Sequence, residues 1–296
     1  MNGLVLLDKP QGLTSFGAAS RMKKAYQTKR VGHTGTLDPL ATGVLPVLIG
    51  RATRLCQYML EEDKRYIAAV RLGITTDTED ITGRVLTENK PNVSEEELQK
   101  AIASFIGTVK QVPPMYSAIR QNGKRLYELA REGKTVERTA RTVTVHDIKL
   151  LWFDGVEFAM EVHCSKGTYI RTLSADIGRK LGCGATMTAL RRTEVAGVSI
   201  AECVTIDEVF EDPAAHLLPA DRVVAHFPSV TVTGGQATRF QNGGELSLDR
   251  LTLPETEQEV FRVYFGDTFL GIGNRNRETG LLEVACVIAE RKDRDE

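Results

Sequence analysis

Residues 32–43 read GHTGTLDPLATG, a stretch with three glycines and one proline that also carries an imidazole, a carboxylate and three hydroxyls. Glycine and proline at this density interrupt the backbone hydrogen bonding of a helix or a central strand, so the stretch is predicted to be a loop. The apolar run 44–49 follows at once and would anchor that loop to a core. A polar loop on a rigid apolar element is a common place for a site, and Asp38 is its candidate functional group. The ordinary alternative is a tight connection with one surface aspartate.

Size and composition describe a globular protein without membrane segments. The chain has 296 residues, of which 42% are hydrophobic and 26% charged, which suits one large domain and a small second one. No stretch approaches the apolar length of a bilayer-spanning helix, and the N-terminus lacks the pattern of a signal peptide. We therefore expect a cytoplasmic protein.

The two parts of the chain differ in charge. Residues 1–200 hold 29 Lys and Arg against 21 Asp and Glu, a net charge of +8, whereas residues 201–296 hold 9 against 18, a net charge of −9. A basic first part is consistent with a polyanionic partner, and two solvated faces of opposite sign are the alternative. Charge alone does not separate these two interpretations.

Cysteine and histidine spacing indicates neither disulfides nor a metal site. The five cysteines are scattered and odd in number, and they form no C-x-x-C pair. The five histidines show no H-x-x-x-H or similar ligand spacing. We predict no structural or catalytic metal.

The pattern of elements predicts an α+β fold. Strands are predicted at 4–7, 66–72, 143–151 and 156–164, a polar loop at 75–83, and helices at 15–26 (capped by Thr14 or Ser15), 52–60, 94–106 and up to 181. Strands interleaved with helices, several of them in hairpins, predict a mixed, largely antiparallel sheet over a catalytic domain of residues 1–228. Short strands separated by glycines then predict a small β-rich domain over residues 229–296.

One basic segment stands out between residues 110 and 141. Basic residues there outnumber the three glutamates, and Tyr116 and Tyr127 lie among them. Asn122-Gly123 is a hairpin signal inside the segment. This basic insertion is the best candidate for an arm that contacts nucleic acid.

Several enzyme classes are excluded by their missing motifs. The glycines at 32 and 35 are not followed by the Gly-Lys-Ser/Thr of a phosphate loop, and the chain has neither a G-x-G-x-x-G fingerprint nor a G-x-S-x-G elbow. What remains is a carboxylate in a shaped loop. Carboxylates act as covalent nucleophiles when a nearby cation keeps them ionised and oriented.

The sequence resembles the TruB family of tRNA pseudouridine synthases. Residues 32–39 resemble the family's catalytic-aspartate motif, and residues 8–12 (DKPQG) its N-terminal motif. Residues 64–66 (KRY), 164–171 (CSKGTYIR) and 190–192 (LRR) are similar to the segments that carry the family's active-site tyrosine, arginine and leucine. The motifs run in family order over residues 3–200, and residues 230–290 are more weakly similar to a PUA domain.

The resemblance implies isomerisation of uridine 55 in the TΨC loop of tRNA to pseudouridine. Asp38 would be the nucleophile, attacking C6 of the ring or C1′ of the ribose, and Arg171 would pair with it and keep it charged. Tyr66 would stack on the target base and take the C5 proton.

Further residues would form the substrate pocket. Tyr169 and Leu190 would wall it, and His33 would lie in or near the space that the flipped base leaves. The ordinary alternatives are a phosphate contact for Arg171, a core residue for Tyr66 and a loop cap for His33. No cofactor is implied, and the expected partner is tRNA, bound by a monomer without a protein partner.

Two other functions remain open at this point. The chain could be an RNA-binding module that has lost catalysis, although such a module has no need for Asp38, Tyr66 and Arg171 together. It could also modify ribosomal RNA under a guide RNA, which would call for accessory-protein surfaces or charged tails.

Overall fold

The computed structural model describes residues 1–59, 63–117, 119–121 and 123–289. The strands in chain order are β1 (Gly3–Lys9), β2 (Val31–His33), β3 (Thr42–Ile49), β4 (Lys64–Leu72), β5 (Ile74–Thr76), β6 (Val85–Glu88), β7 (Gly107–Gln111), β8 (Arg120–Gln121), β9 (Lys124–Arg125), β10 (Arg141–Phe153), β11 (Glu157–Cys164), β12 (Ala185–Val195), β13 (Val198–Ser199), β14 (Ser229–Thr231), β15 (Leu246–Ser247), β16 (Val260–Phe265), β17 (Thr268–Asn276) and β18 (Leu281–Val287). The α-helices are α1 (Ser15–Ala25), α2 (Glu95–Ala103), α3 (Leu126–Arg131), α4 (Ile170–Lys180), α5 (Ile206–Glu211) and α6 (Gly234–Gln241), and 3₁₀ helices span Gly50–Met59, Ile200–Glu202, Ala220–Val224 and Leu248–Arg250.

A mixed sheet forms the larger part of the molecule. Its strands follow the order β1-β3-β12-β4-β11-β10-β7, with β2 also paired to β3 and β13 to β12. The pairs are antiparallel except for β3 and β12, which run parallel where Arg191 faces Thr42 and Arg192 faces Gly43. The predicted α+β class with a largely antiparallel sheet is therefore confirmed.

Helices α2 and α4 cover one face of this sheet. Strand β4 buries Tyr66, Ala68 and Val70 on that face, as its alternating pattern predicts. Leu173 and Ile177 of α4 pack into the same apolar cluster. Because α4 begins at Ile170, its first turn places the next residue, Arg171, at the edge of the buried face.

The C-terminal part is a second, smaller sheet. Its strands follow the order β14-β16-β17-β18-β15 and enclose their own apolar cluster with α6. A further cluster, which includes Leu4, Leu48, Ile272 and Ile288, joins this sheet to the larger one. The predicted β-rich region is confirmed, whereas the boundary between residues 228 and 229 stays a prediction.

The basic segment forms an arm, residues 112–140, between β7 and β10. Within it β8 and β9 pair as a short hairpin, as predicted, although Asn122 lies outside the described residues. Lys110 and Arg141, the predicted ends of the insertion, belong to the flanking strands of the large sheet.

Two predicted elements differ from the structure, and one strand of the structure was not predicted. The helix expected at 52–60 is the 3₁₀ helix Gly50–Met59, and Leu60 lies outside the described residues. The polar loop expected at 75–83 begins inside β5, which pairs with β6. Strand β12, in the middle of the large sheet, is absent from the predicted elements, because two arginines interrupt the apolar alternation of Ala185–Val195.

Candidate active site

The Gly-rich stretch is a loop between two strands. Its central part, residues 34–41 (the catalytic loop), is free of strand, but the stretch begins in β2 and ends in β3, so the prediction that it excludes strands was wrong at both ends. Gly43 shows why glycine is needed in β3: its φ is +104°, and a Cβ there would lie 2.2 Å from the backbone oxygen of Arg192.

Two residues of the N-terminal segment fix the catalytic loop. The buried hydroxyl of Ser15 donates to the carbonyl of Leu37 at 3.0 Å and accepts from the amide of Leu37 at 2.8 Å. The amide of Gly12 donates to the carbonyl of Pro39 at 2.7 Å. The backbone on both sides of Asp38 is thereby held from outside the loop.

A buried arginine supports the loop from below. Arg192 of β12 is 1% exposed, and its Nε donates to the carbonyl of Val44 at 2.8 Å. Its Nη2 donates to the carbonyl of Gly35 at 3.1 Å. On β4, Tyr66 is its cross-strand neighbour. One guanidinium therefore links the catalytic loop, β3 and the strand of the candidate tyrosine.

Asp38 and Arg171 form an ion pair at the centre of the site. Arg171 is 5% exposed and its Nε lies 2.9 Å from Oδ2 of Asp38, whose side chain is 35% exposed. Nη1 of Arg171 donates to the carbonyl of Thr78 at 3.0 Å, and Nη2 donates to the carbonyl of Tyr116 at 2.8 Å. The guanidinium is thus fixed in its plane by three contacts, and a carboxylate oxygen is presented beside it.

Asp80 is a second carboxylate in the site that the sequence did not reveal. Its Oδ2 lies 3.8 Å from Nη1 of Arg171. Its Oδ1 accepts from the hydroxyl of Thr78 at 2.9 Å and from the amide of Thr82 at 3.0 Å. The Thr-x-Asp-x-Thr pattern at 78–82 was the available signal, but it marks a tight turn as well as a site. Asp80 thus completes the fixing of Arg171.

The surroundings of Asp38 act on its pKa in opposite directions. The pKa of Asp38 lies above its ordinary value, chiefly because of burial; the negative charge of Asp80 adds to this rise, whereas Arg171 and Lys9 act against it. Lys9 is itself buried, donates to the carbonyls of Pro10 and Leu13, and has a pKa lowered by burial to about 8. Without Arg171, burial and Asp80 together would favour the protonated, non-nucleophilic acid.

Tyr66 is buried next to these charged groups. Burial raises the pKa of Tyr66, and hydrogen bonding and charge from Arg192 act against that rise. The phenol is therefore protonated at neutral pH in the free protein. A proton-accepting role requires its own proton to leave first, which the guanidinium of Arg192 favours.

The structure brings the other predicted residues to the same region. Leu190 packs in one apolar cluster with Leu37 of the catalytic loop and with Tyr66. Gln111 clamps the backbone of Tyr169, donating to its carbonyl at 3.0 Å and accepting from its amide at 2.8 Å.

His33 ends β2, directly before the catalytic loop, where burial lowers its pKa. Its Nδ1 is buried and finds no hydrogen-bond partner among the described residues. The imidazole is therefore neutral, and its Nδ1 is a buried polar atom that these residues leave unsatisfied.

This arrangement suits nucleophilic chemistry by a carboxylate. The side chain of Asp38 is partly exposed, and its carboxyl group is paired with the guanidinium of Arg171, which favours the charged form. Both carboxylates face an internal cation, so their charge is compensated by the protein itself and not left for a metal ion.

Comparisons with known proteins agree with one another. The family model described as TruB family pseudouridylate synthase (N terminal domain) matches residues 23–170, and the model described as tRNA pseudouridylate synthase B C-terminal domain matches residues 171–225. A protein of Azoarcus sp. (strain BH72) named tRNA pseudouridine synthase B is 46% identical over 92% of this chain and 91% of its own. A protein of the same name from Chromohalobacter salexigens is 45% identical over 92% and 90%.

Solved structures match over nearly the whole chain. The structure of an H/ACA RNP bound to a substrate RNA containing 2′-deoxyuridine has a TM-score of 0.72 and 25% identity, over 98% of this chain and 86% of that chain. An archaeal box H/ACA sRNP Nop10–Cbf5 complex has a TM-score of 0.72 at 24% identity, over 98% and 87%, which is a likeness of fold.

Proposed function

The chain belongs to the TruB family of pseudouridine synthases, and we propose that it converts uridine 55 in the TΨC loop of tRNA to pseudouridine. The observation that supports this most strongly is the 2.9 Å contact between Arg171 and Asp38. It pairs the carboxylate with a cation beside the apolar cluster that includes Tyr66 and Leu190. An RNA-binding module would not need this pair.

The reaction exchanges one glycosidic bond for another. The N1–C1′ bond of uridine breaks, the uracil rotates within the pocket, a C5–C1′ bond forms, and the proton on C5 leaves as N1 gains one. Asp38 acts as the nucleophile, with attack on C6 of the ring or on C1′ of the ribose as its two possible targets. Arg171 keeps the carboxylate ionised and, together with Asp80, fixes its direction.

The target base must leave the stack of the RNA loop to reach Asp38. Such flipping costs a few kcal/mol, which stacking and phosphate contacts offset. We assign stacking to Tyr66, the pocket walls to Tyr169 and Leu190, and the space left by the base to His33. The position of His33 directly before the catalytic loop supports this assignment.

The oligomeric state and the cellular location are part of the same proposal. We propose a monomer that acts on tRNA in the cytoplasm without a protein partner. In the described parts of the chain, no helix combines the length and the apolar character required to cross a membrane. Light scattering of the enzyme with and without tRNA tests the monomer, and a mass of two chains would contradict it.

The function is tested with an unmodified tRNA transcript and a matched transcript carrying cytidine at position 55. After incubation, carbodiimide treatment and primer extension map pseudouridine. We expect a stop at position 55 of the first transcript alone. If no stop appears, the chain does not modify free tRNA, which is the result expected of a binding module or of a guide-dependent enzyme. A stop at a different uridine would show that the assignment of position 55 is wrong.

A further inference from the structure

We propose that Asp63, His146 and His163 bind one divalent transition-metal ion, with Zn²⁺ as the ion that fits best. The three residues each offer a ligand atom, and these atoms all lie within 4.8 Å of one another. The isomerase reaction does not use them, and the sequence predicted no metal because their spacing along the chain shows no pattern.

The sheet brings the three side chains to one face. His163 of β11 lies opposite Arg65 of β4, and Asp63 precedes Arg65 by two residues, so Asp63 and His163 are diagonal neighbours. Strand β10 has a bulge between Val145 and Asp147, which leaves His146 as the extra residue beside His163. The two histidines therefore lie side by side, with ring centroids 4.7 Å apart.

The distances suit a small cation between the ligands. Nε2 of His146 lies 2.9 Å from Oδ2 of Asp63, and Nε2 of His163 lies 3.9 Å from the same oxygen. Ligands about 2.0–2.2 Å from a tetrahedral zinc ion lie roughly 3.3 Å from one another. The two histidine–aspartate distances differ from this value by less than about 1 Å.

The setting leaves a coordination position open. A cleft of about 150 Å³ adjoins Asp63 and His163 and is also lined by Lys64, Arg65 and Glu194. Arg65 is paired with Glu194 at 3.4 Å, which reduces its repulsion of a cation. Side-chain exposures of 47%, 36% and 28% for Asp63, His146 and His163 allow an ion to enter from solvent.

The ligand set selects the metal class. Two imidazoles and one carboxylate suit zinc and its neighbours in the transition series better than Mg²⁺ or Ca²⁺, which prefer oxygen ligands. The site lies on the opposite face from Tyr66, whose cross-strand partner Val162 is buried with it. A bound ion would tie the beginning of β4 to β11 and β10, a structural role.

The test uses the full chain without an affinity tag, and titration calorimetry with Zn²⁺. We expect one ion per chain, and weakening by at least about tenfold in D63N, H146N and H163N, since even outer partners of a metal site change affinity by that much. H226N, which removes an exposed histidine elsewhere, should bind as the wild type does. No binding, or equal affinity in all five proteins, would overturn the proposal.

Two further measurements exclude other origins of the signal. Co²⁺ should bind without a thiolate-to-cobalt charge-transfer band, because the five free cysteines are not ligands; such a band would assign the binding to cysteine. Zn²⁺ should raise the melting temperature of the wild type and of H226N but not of H146N. A rise in H146N equal to that of the wild type would contradict a site at this histidine.

Discussion

The catalytic loop and the arm of residues 112–140 are built in opposite ways. The loop is short, and polar groups of three residues from two other segments hold its backbone: Ser15, Gly12 and Arg192. The arm is long, and most of its described residues beyond α3 are exposed. Arg171 of α4 connects the two regions, because it pairs with Asp38 of the loop and donates to the carbonyl of Tyr116 in the arm.

We propose that this difference separates chemistry from binding. A nucleophile must be held close to its productive geometry, and buried hydrogen bonds to the loop backbone provide that. A surface that meets a polyanion needs charge and reach more than fixed geometry. We therefore expect changes around the loop to reduce turnover, and changes in the arm to reduce affinity.

Tyr66→Phe should have the largest effect among the residues around the loop. It keeps the ring and removes the phenolic oxygen, so binding should persist while single-turnover product formation falls by about 10²–10⁴-fold, the range for general acid–base groups. Tyr66→Leu should also weaken RNA binding, because stacking on an aromatic ring contributes about 1–3 kcal/mol per base. Wild-type product formation by Tyr66→Phe would leave Tyr66 as a stacking residue only.

Arg171→Lys should reduce turnover about a hundredfold, with a smaller change in affinity. Lysine keeps the positive charge, but one ammonium cannot replace the planar contacts to Asp38, Thr78 and Tyr116 at once. The measurement is kcat beside the Kd for tRNA. A loss of affinity alone would identify Arg171 as a phosphate contact.

Ser15→Ala should lower both stability and activity. It leaves the buried amide and carbonyl of Leu37 without their partner, at a cost of about 1–3 kcal/mol. Thr14→Ala is the matched control, since Thr14 caps α1 through Gly17 and its removal should cost about 1 kcal/mol without lowering turnover. Denaturant unfolding and kcat are measured for both. Equal turnover in the two variants would contradict the anchoring of the loop by Ser15.

The basic residues of the arm should contribute to the salt dependence of tRNA binding. Replacing the exposed Arg120, Lys124 and Arg131 with glutamine should flatten the slope of log K against log salt by about 0.9 for each phosphate that the arm no longer neutralises. Lys90, Lys100 and Lys149, exposed outside the arm, give a control triple variant. The same slope in both triple variants would show that the arm does not contact RNA and is an ordinary solvated surface.

The fold class could be predicted, since periodicity is a local signal. The pairing of Asp38 with Arg171 was implied by the resemblance of their two segments to the family's motifs, and not by spacing. The cap of α1 shows the limit of local signals: Thr14 and Ser15 are equally good caps, and only the distant contact with Leu37 decides that Ser15 is the anchor. The supporting role of Arg192 could not be predicted from the sequence either. Burial of an arginine depends on carbonyls of Gly35 and Val44 that meet it only in the folded sheet.

Residues far apart in sequence were missed for the same reason. Asp80 falls within the predicted polar loop, and its sequence neighbours do not show what it contacts. Its proximity to Arg171 arises only when that loop packs on α4. The cluster of Asp63, His146 and His163 requires three neighbouring strands and a bulge. A spacing pattern in one sequence cannot reveal either arrangement.

The most direct test of the account is single-turnover pseudouridine formation by Asp38→Asn, with tRNA binding measured on the same protein. Asparagine keeps the shape of the side chain and removes its charge, so the nucleophile is removed while the surface is kept. We predict a fall in product formation of more than about a thousandfold with Kd within about threefold of wild type. Product formation at the wild-type rate would contradict the assignment of Asp38 as the nucleophile.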